Sequence, residues 1–392
     1  MRAVPDNRDY RLDFFRGLAL IFIFLNHIPG NAFSWATNRN YGFSDATEIF
    51  VFISGYTAAI AYGRTMQRDG FRFGAARILS RTWEIYVAHI FLFVVLAAHV
   101  VWVAQNHQNI DFLEGMGVLA FLADPQQALV QTLLLSYRPV NMDVLPLYIA
   151  LLLVFPMLLW SLMRWPLATL GASCLLWLAA GTTGLNLPGY PDGGWFFNPF
   201  AWQFLFALGA ACSLYPSLHA GLPRHDRVLV PAALAVVGFG FYVTAGWNWP
   251  ETVPALPMAM QAVLYPVSKT NLDVLRLMHF LAVLYLAVRL MPAGTPVLAS
   301  SLARPVIVCG QHSLHIFCLG TVLSFTGHWI LSEIDGSLAM QAAISLGGIA
   351  AMIATAQTMG WYAGWKRQRS RAKPAARKPA PSGATAGQAA RA

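Results

Sequence analysis

Arg16 and His27 stand near the two ends of LDFFRGLALIFIFLNHIPG, the first long apolar stretch, with ten residues between them. Eleven helical steps bring both side chains onto one stripe, roughly 16 Å apart along the axis. A cation and an imidazole on a membrane-buried stripe are costly to keep and mark a functional site. The alternative is a snorkelling arginine with an interfacial histidine.

The next apolar stretch opens with GFSDATEIFVFISGY, where Asp45 and Glu48 lie three apart on one helical face. A neutral histidine near a carboxylate is the arrangement for general-base catalysis, because the carboxylate orients the ring and stabilises its protonated form. His27, with Arg16, Asp45 and Glu48, is therefore the expected catalytic group, and Asn26 lies beside it. The competing role for the two carboxylates is capping the second helix, whose N-terminal dipole favours negative charge. Ser54-Gly55 reads as a close helix-packing point rather than a nucleophile.

A different chemistry is written in GRTMQRDGFRFGAARILSR, which presents Arg64, Arg68, Arg72, Arg77 and Arg81. Positive-inside bias alone accounts for some of these; guanidinium forks also match phosphate oxygens, so the five are expected as a phosphate-binding surface. Coenzyme A, with its phosphates and thin pantetheine arm, suits a basic loop on one side and a reactive histidine further out. Arg72, Arg77 and Arg81 are the expected contacts for an acyl-coenzyme A. In GQHSLHIFCLG, His312 and His315 are three apart without further metal ligands. They are expected as buried hydrogen-bonding groups near the donor channel, with His312 touching the donor. No metal is expected, and the four cysteines fall in apolar segments without zinc spacing.

Two further blocks supply polar groups to the same cavity. KTNLDVLRLMHF carries Lys269, Asp273, Arg276 and His279; Asp273 and Arg276 read as an intrahelical pair or as part of an anion site. YRPVNMDVLPLY carries Asn141 and Asp143. These residues, with Asn26, are expected to line the cavity and bind an anionic or polar group there.

The elements that must position these groups follow from composition. The chain has 392 residues, 57% hydrophobic and 11% charged, with mean hydropathy +0.53. Soluble proteins carry about 25% charged residues, so an all-α polytopic membrane protein is expected. Ten spans are read at about Leu12–Gly30, Ala46–Gly63, Trp83–Ala104, Val144–Met163, Pro166–Thr183, Pro199–Leu214, Val228–Gly246, Leu272–Leu290, Pro305–Trp329 and Ser337–Tyr362. An apolar stretch between Gln126 and Tyr137 is too short to cross. With the N-terminus inside, only Arg39, Arg138, Lys269 and Arg276 of the 26 basic residues fall outside. Both termini are then cytoplasmic. Residues 1–11 form a cytoplasmic segment, 12–362 the membrane domain, and 363–392 a basic disordered tail suited to anionic lipid. The net charge of +9 follows from this topology rather than from nucleic-acid binding. The outer segments Ala180–Asn198 and Trp247–Asn271 are rich in aromatic residues, fitting an interfacial belt or a sugar platform.

LDFFRGLALIFIFLNH resembles the opening helix of the membrane acyltransferase superfamily, a basic residue and a histidine ten residues apart. The blocks NHIPGN, FSDATEIFVFISG, NMDVLPLY, NPFAWQFLF, KTNLDVLRLMHFLA and GQHSLHIFCLG, in that order, are similar to the OpgC family. The resemblance runs from about Tyr10 to the last span. It implies an inner-membrane enzyme that moves an acyl group, succinyl in this family, from cytoplasmic acyl-coenzyme A to a periplasmic glucan or other extracytoplasmic carbohydrate. It implies His27 as the catalytic histidine and Arg16 as its partner in positioning the donor. It implies the acceptor or an acyl carboxylate as the group bound among Asn26, Asn141, Asp143, Lys269, Asp273 and Arg276. No cofactor is bound permanently; succinyl-coenzyme A is the expected cosubstrate. A transporter or flippase for a glycan or lipid-linked sugar is the alternative.

Overall fold

The computed structural model describes residues 9–107, 110–217, 227–254, 256–292 and 294–372. The described chain is helical, with isolated bridges pairing Tyr137 with Tyr190 and Pro188 with Gly194. Its main helices are α1 (Tyr10–Asn26), α2 (Ala46–Asp69), α3 (Phe71–His107), α4 (Val144–Arg164), α5 (Pro166–Thr183), α6 (Pro199–Leu214), α7 (Leu229–Asn248), α8 (Val274–Leu290), α9 (Ala303–Gln311), α10 (Ser313–Glu333) and α11 (Leu338–Ala372).

Among the described residues, six helical segments are long and apolar enough to cross a membrane: α3, α4, α5, α7, α10 and residues Leu338–Lys366 of α11. The chain is thus a multi-pass membrane protein by helix length and composition. The remaining expected spans are shorter or less apolar, and they include α1 (17 residues), α6 (16) and α8 (17). α1, α2 and α8 carry the polar motif residues. A helix shielded by neighbouring helices tolerates a polar face that a lipid-facing helix does not.

Several boundaries differ from the sequence expectation. The basic loop after the second span is helical: α2 continues to Asp69, Gly70 turns with φ +91°, and α3 begins at Phe71. Only a glycine takes that backbone without strain, so one residue suffices to join two long helices. The expected ninth span is broken at His312 into α9 and α10. The last helix runs past Tyr362 to Ala372, while residues 373–392 of the expected tail lie outside the described residues. A nine-residue helix, Pro125–Leu133, occupies the stretch too short to cross.

α2 packs most extensively against α6, and α1 against α9. Each crossing uses a reciprocal glycine contact. A Cβ on Gly55 would collide with the Phe206 carbonyl, and one on Gly209 with that of Phe52. Gly17 and Gly310 stand in the same relation to the carbonyls of Val306 and Asp13. Small residues let helix backbones approach without side-chain bulk, the usual solution where lipid provides no hydrophobic drive.

Candidate active site

α1 ends at Asn26, so His27 sits just past the helix as its cap, with its N–H bonded to the Ile23 carbonyl at 3.0 Å. Two short helical turns then lead to α2. Within them Thr37 Oγ1 donates to Asn26 Oδ1 at 2.8 Å, and Arg39 donates to the Asn26 carbonyl at 3.3 Å. Asn141 Nδ2 reaches the His27 carbonyl at 3.4 Å. The histidine Nδ1 is buried without a partner. The ring lines a cavity of about 690 Å³, which leaves Nε2 as the accessible nitrogen.

Of the two roles weighed from sequence, the carboxylates take the capping one. Asp45 accepts from the Thr47 N–H at 2.8 Å while Glu48 accepts from the Asp45 N–H at 2.9 Å, a capping box at the start of α2. Their remaining oxygens bind cations. Lys269 Nζ lies 2.6 Å from Asp45 Oδ2, and the Arg276 guanidinium lies 2.6 Å from Glu48 Oε1 and 3.3 Å from Asp45 Oδ2. Glu48 is fully buried, so its charge depends on Arg276. Burial opposes ionisation of Asp45, but Lys269 and Arg276 outweigh it and hold its carboxyl well below the usual carboxylate range.

Some expectations change here. Neither Asp45 nor Glu48 forms a hydrogen bond to His27, because both are committed to Lys269 and Arg276. Asp273 does not pair with Arg276; it caps α8 by accepting from the Leu275 N–H at 2.9 Å. Arg276 instead points across to α2, where two carboxylates offer more than one cap residue does. Arg16 reaches the Ile53 carbonyl at 3.2 Å and also Thr57 Oγ1, on the turn of α2 that carries Ser54. It lies outside the residues that line the cavity with His27.

Lys269 is placed by a rigid collar. Trp202 Nε1 donates to the Lys269 carbonyl at 3.1 Å and Trp177 Nε1 to the Leu272 carbonyl at 2.9 Å. Asn198, at the N-cap of α6, donates to Asn271 Oδ1 at 2.9 Å. The NPFAWQFLF and KTNLDVLRLMHF blocks are thereby one structural unit. Arg138, also in the cavity lining, pairs with Asp143 at 3.1 Å and lies 4.5 Å from the Trp195 ring centre. Asn141 and Asp143 line the cavity, as expected, while Asp273 is not among its lining residues.

Sequence reasoning missed several cavity residues. Arg39, Ser44, Tyr190, Asp192, Phe196 and Trp247 all line it. The aromatic richness of the two loops was the available signal, but belt and platform share that composition. Ser44 adds a buried pair: its Oγ lies 2.7 Å and its N 3.3 Å from His279 Nδ1. A backbone N–H can only donate, so Nδ1 is the acceptor and the neutral ring carries its proton on Nε2.

The expected donor residues lie elsewhere. Arg77 donates to Thr65 Oγ1 at 2.9 Å, Arg81 pairs with Glu84 at 2.8 Å, and Arg72 is exposed. His312 is half-buried at the α9–α10 break, whereas His315 is exposed rather than buried. None of these lines the cavity. A slot of only about 10 Å³ lies between α2, α4 and α6, lined by Ser54, Tyr148 and Phe206 and sharing Val144 with the cavity. That holds about one water, so a pantetheine arm would need these helices to part.

No curated protein and no solved structure matches the chain. The OpgC protein family does, over residues 8–364, so nearly the whole chain, from the end of the N-terminal segment through most of α11, belongs to the OpgC family.

Proposed function

We propose that the protein is a membrane O-acyltransferase that moves a succinyl group from acyl-coenzyme A to a hydroxyl of a glucan, with His27 as general base. The observation that carries this reading is the accessible Nε2 of His27 in a cavity walled by ion pairs and aromatic rings. Family membership supplies the reaction class.

In this mechanism the acceptor sugar lies among Tyr190, Phe196 and Trp247, whose rings suit the apolar face of a pyranose. Asp192, which has no side-chain partner among the described residues, accepts from its hydroxyls. His27 Nε2 takes the proton of the attacking hydroxyl as that oxygen bonds to the thioester carbonyl carbon. Asn26, next to His27 in the cavity lining, donates its Nδ2 to the developing oxyanion. The carbon–sulfur bond then breaks, and the imidazolium returns its proton to the departing thiolate. The Asp45–Lys269–Arg276–Glu48 network acts by holding the α1–α2 and α8 ends together rather than by orienting the ring.

The donor is taken to approach from the arginine-bearing end, past Arg16 and the Ser54 slot, from the cytoplasmic side of an inner membrane. Arg72, Arg77 and Arg81 then receive its phosphates, and the cavity faces the periplasm.

The test is transfer of labelled succinyl from succinyl-coenzyme A to glucan by the purified protein and by His27→Ala. Label in glucan with the parent and none with the variant, at unchanged melting temperature, supports the reading. Undiminished transfer by His27→Ala removes the histidine as base. Glucan movement without acyl transfer points to the transporter alternative.

A further inference from the structure

Four cations line the cavity: Arg39, Arg138, Lys269 and Arg276. Three are committed to carboxylates of the protein itself. Arg138 pairs with Asp143, Lys269 with Asp45, and Arg276 with both Glu48 and Asp45. An incoming anion would meet the field of those carboxylates as well as the cations, so the attraction at these positions is largely cancelled.

Arg39 differs. It sits in the short turn Asn38–Asn40, is exposed, and pairs with no carboxylate among the described residues. Its NH1 donates to the Asn26 carbonyl at 3.3 Å. That carbonyl belongs to the residue before His27, and both side chains line the same cavity, so the contact holds the guanidinium near the imidazole. A guanidinium has five N–H donors in a planar fork, and one carbonyl leaves most of them available for a second, bidentate partner.

We infer that Arg39 receives the free carboxylate of the transferred acyl group and so selects a short dicarboxylic acyl donor over a neutral one. This rests on the acyl-transfer reading above and adds the residue that sets donor choice. A succinyl chain keeps its carboxylate a few bonds from the reacting carbonyl. A guanidinium adjacent to the catalytic histidine is therefore within reach of that carboxylate, while the carbonyl lies at Nε2. Lys269, Arg276 and Arg138, the cations first expected to bind the acyl carboxylate, become wall residues held by internal pairs.

The experiment compares succinyl-coenzyme A with butyryl-coenzyme A, a neutral chain of equal length, using full-length protein in detergent with glucan as acceptor. The parent protein is expected to prefer succinyl. Arg39→Ala should lower the succinyl-to-butyryl ratio of kcat/KM by roughly tenfold or more, the range of one charge-assisted hydrogen bond. Arg39→Lys should keep part of the preference, since it retains charge without the fork. An unchanged ratio in Arg39→Ala overturns the inference, as does a parent protein without preference. Equal losses with both donors also overturn it and place Arg39 on the acceptor. Transfer of neither donor by the parent is a failure of the acyl-transfer reading itself, visible before any variant is made.

Discussion

Lys269 Nζ and Asp45 Oδ2 meet at 2.6 Å across 224 residues of sequence, tying the loop before α8 to the N-cap of α2. Both partners line the cavity that also receives His27, the residue that ends α1. Removing one partner leaves a charge in a poorly solvated wall, so the consequences reach both fold and site.

Arg276 is the most sensitive member of this network. Arg276→Met strands the fully buried Glu48, and breaking such a pair costs about 3–5 kcal/mol. A large fall in melting temperature in detergent is expected. The double variant Arg276→Met with Glu48→Gln should recover most of it. If the double variant melts no higher than the single, the two groups are not coupled.

His279 is expected to act as a positioning residue through Ser44. Its ring is clamped so closely that a Cβ on Gly42 or Gly240 would strike it. Gly42→Ala should therefore displace the ring and the Ser44–Asp45 backbone it holds. Transfer should fall at least tenfold in kcat while donor KM changes little, an estimate based on the cost of small misplacements. A KM effect of the same size would assign His279 to binding instead.

Asp45 provides a pH prediction. Its folded value lies below the unfolded one, so its contribution to stability is present above about pH 4. It is lost only as pH falls through the depressed folded value. Between pH 5 and 8 Asp45 should not titrate. Asp45→Asn should lower the melting temperature by the same amount across that window; a pH-dependent difference there would contradict the assignment.

The arginine-bearing end is open to a separate test. Arg77→Ala combined with Arg81→Ala should raise donor KM by roughly tenfold with kcat largely kept, because charge-assisted phosphate contacts are lost away from the reacting atoms. An unchanged KM would remove these residues from donor binding.

Packing offers a control outside the site. Gly55→Leu forces a side chain into the Phe206 carbonyl, and overpacking of this kind costs about 1–3 kcal/mol. The variant should melt lower, and a companion change at Gly63, where a Cβ meets only the end of Leu214 at 3.6 Å, should not.

Local chemistry was legible in the chain. Helical spacing placed Asp45 and Glu48 on one face, and their capping use follows from their position at a helix start. The Ser54-Gly55 contact was equally readable, because a small residue in an apolar helix has few other reasons to be there. Cation choice was not. Asp273 is three residues from Arg276 and Glu48 is 228, yet burial makes the distant carboxylate the partner. The short spans that carry the site were read as ordinary crossings, since length and polarity alone do not reveal which helices their neighbours shield. Sequence by itself determined a helical membrane protein, the motif residues and His27 at the end of α1. Only the tertiary structure decided which charges cancel one another and which, like Arg39, face the cavity uncompensated. Electrostatic pairing depends on distance and burial, and the folded chain sets both.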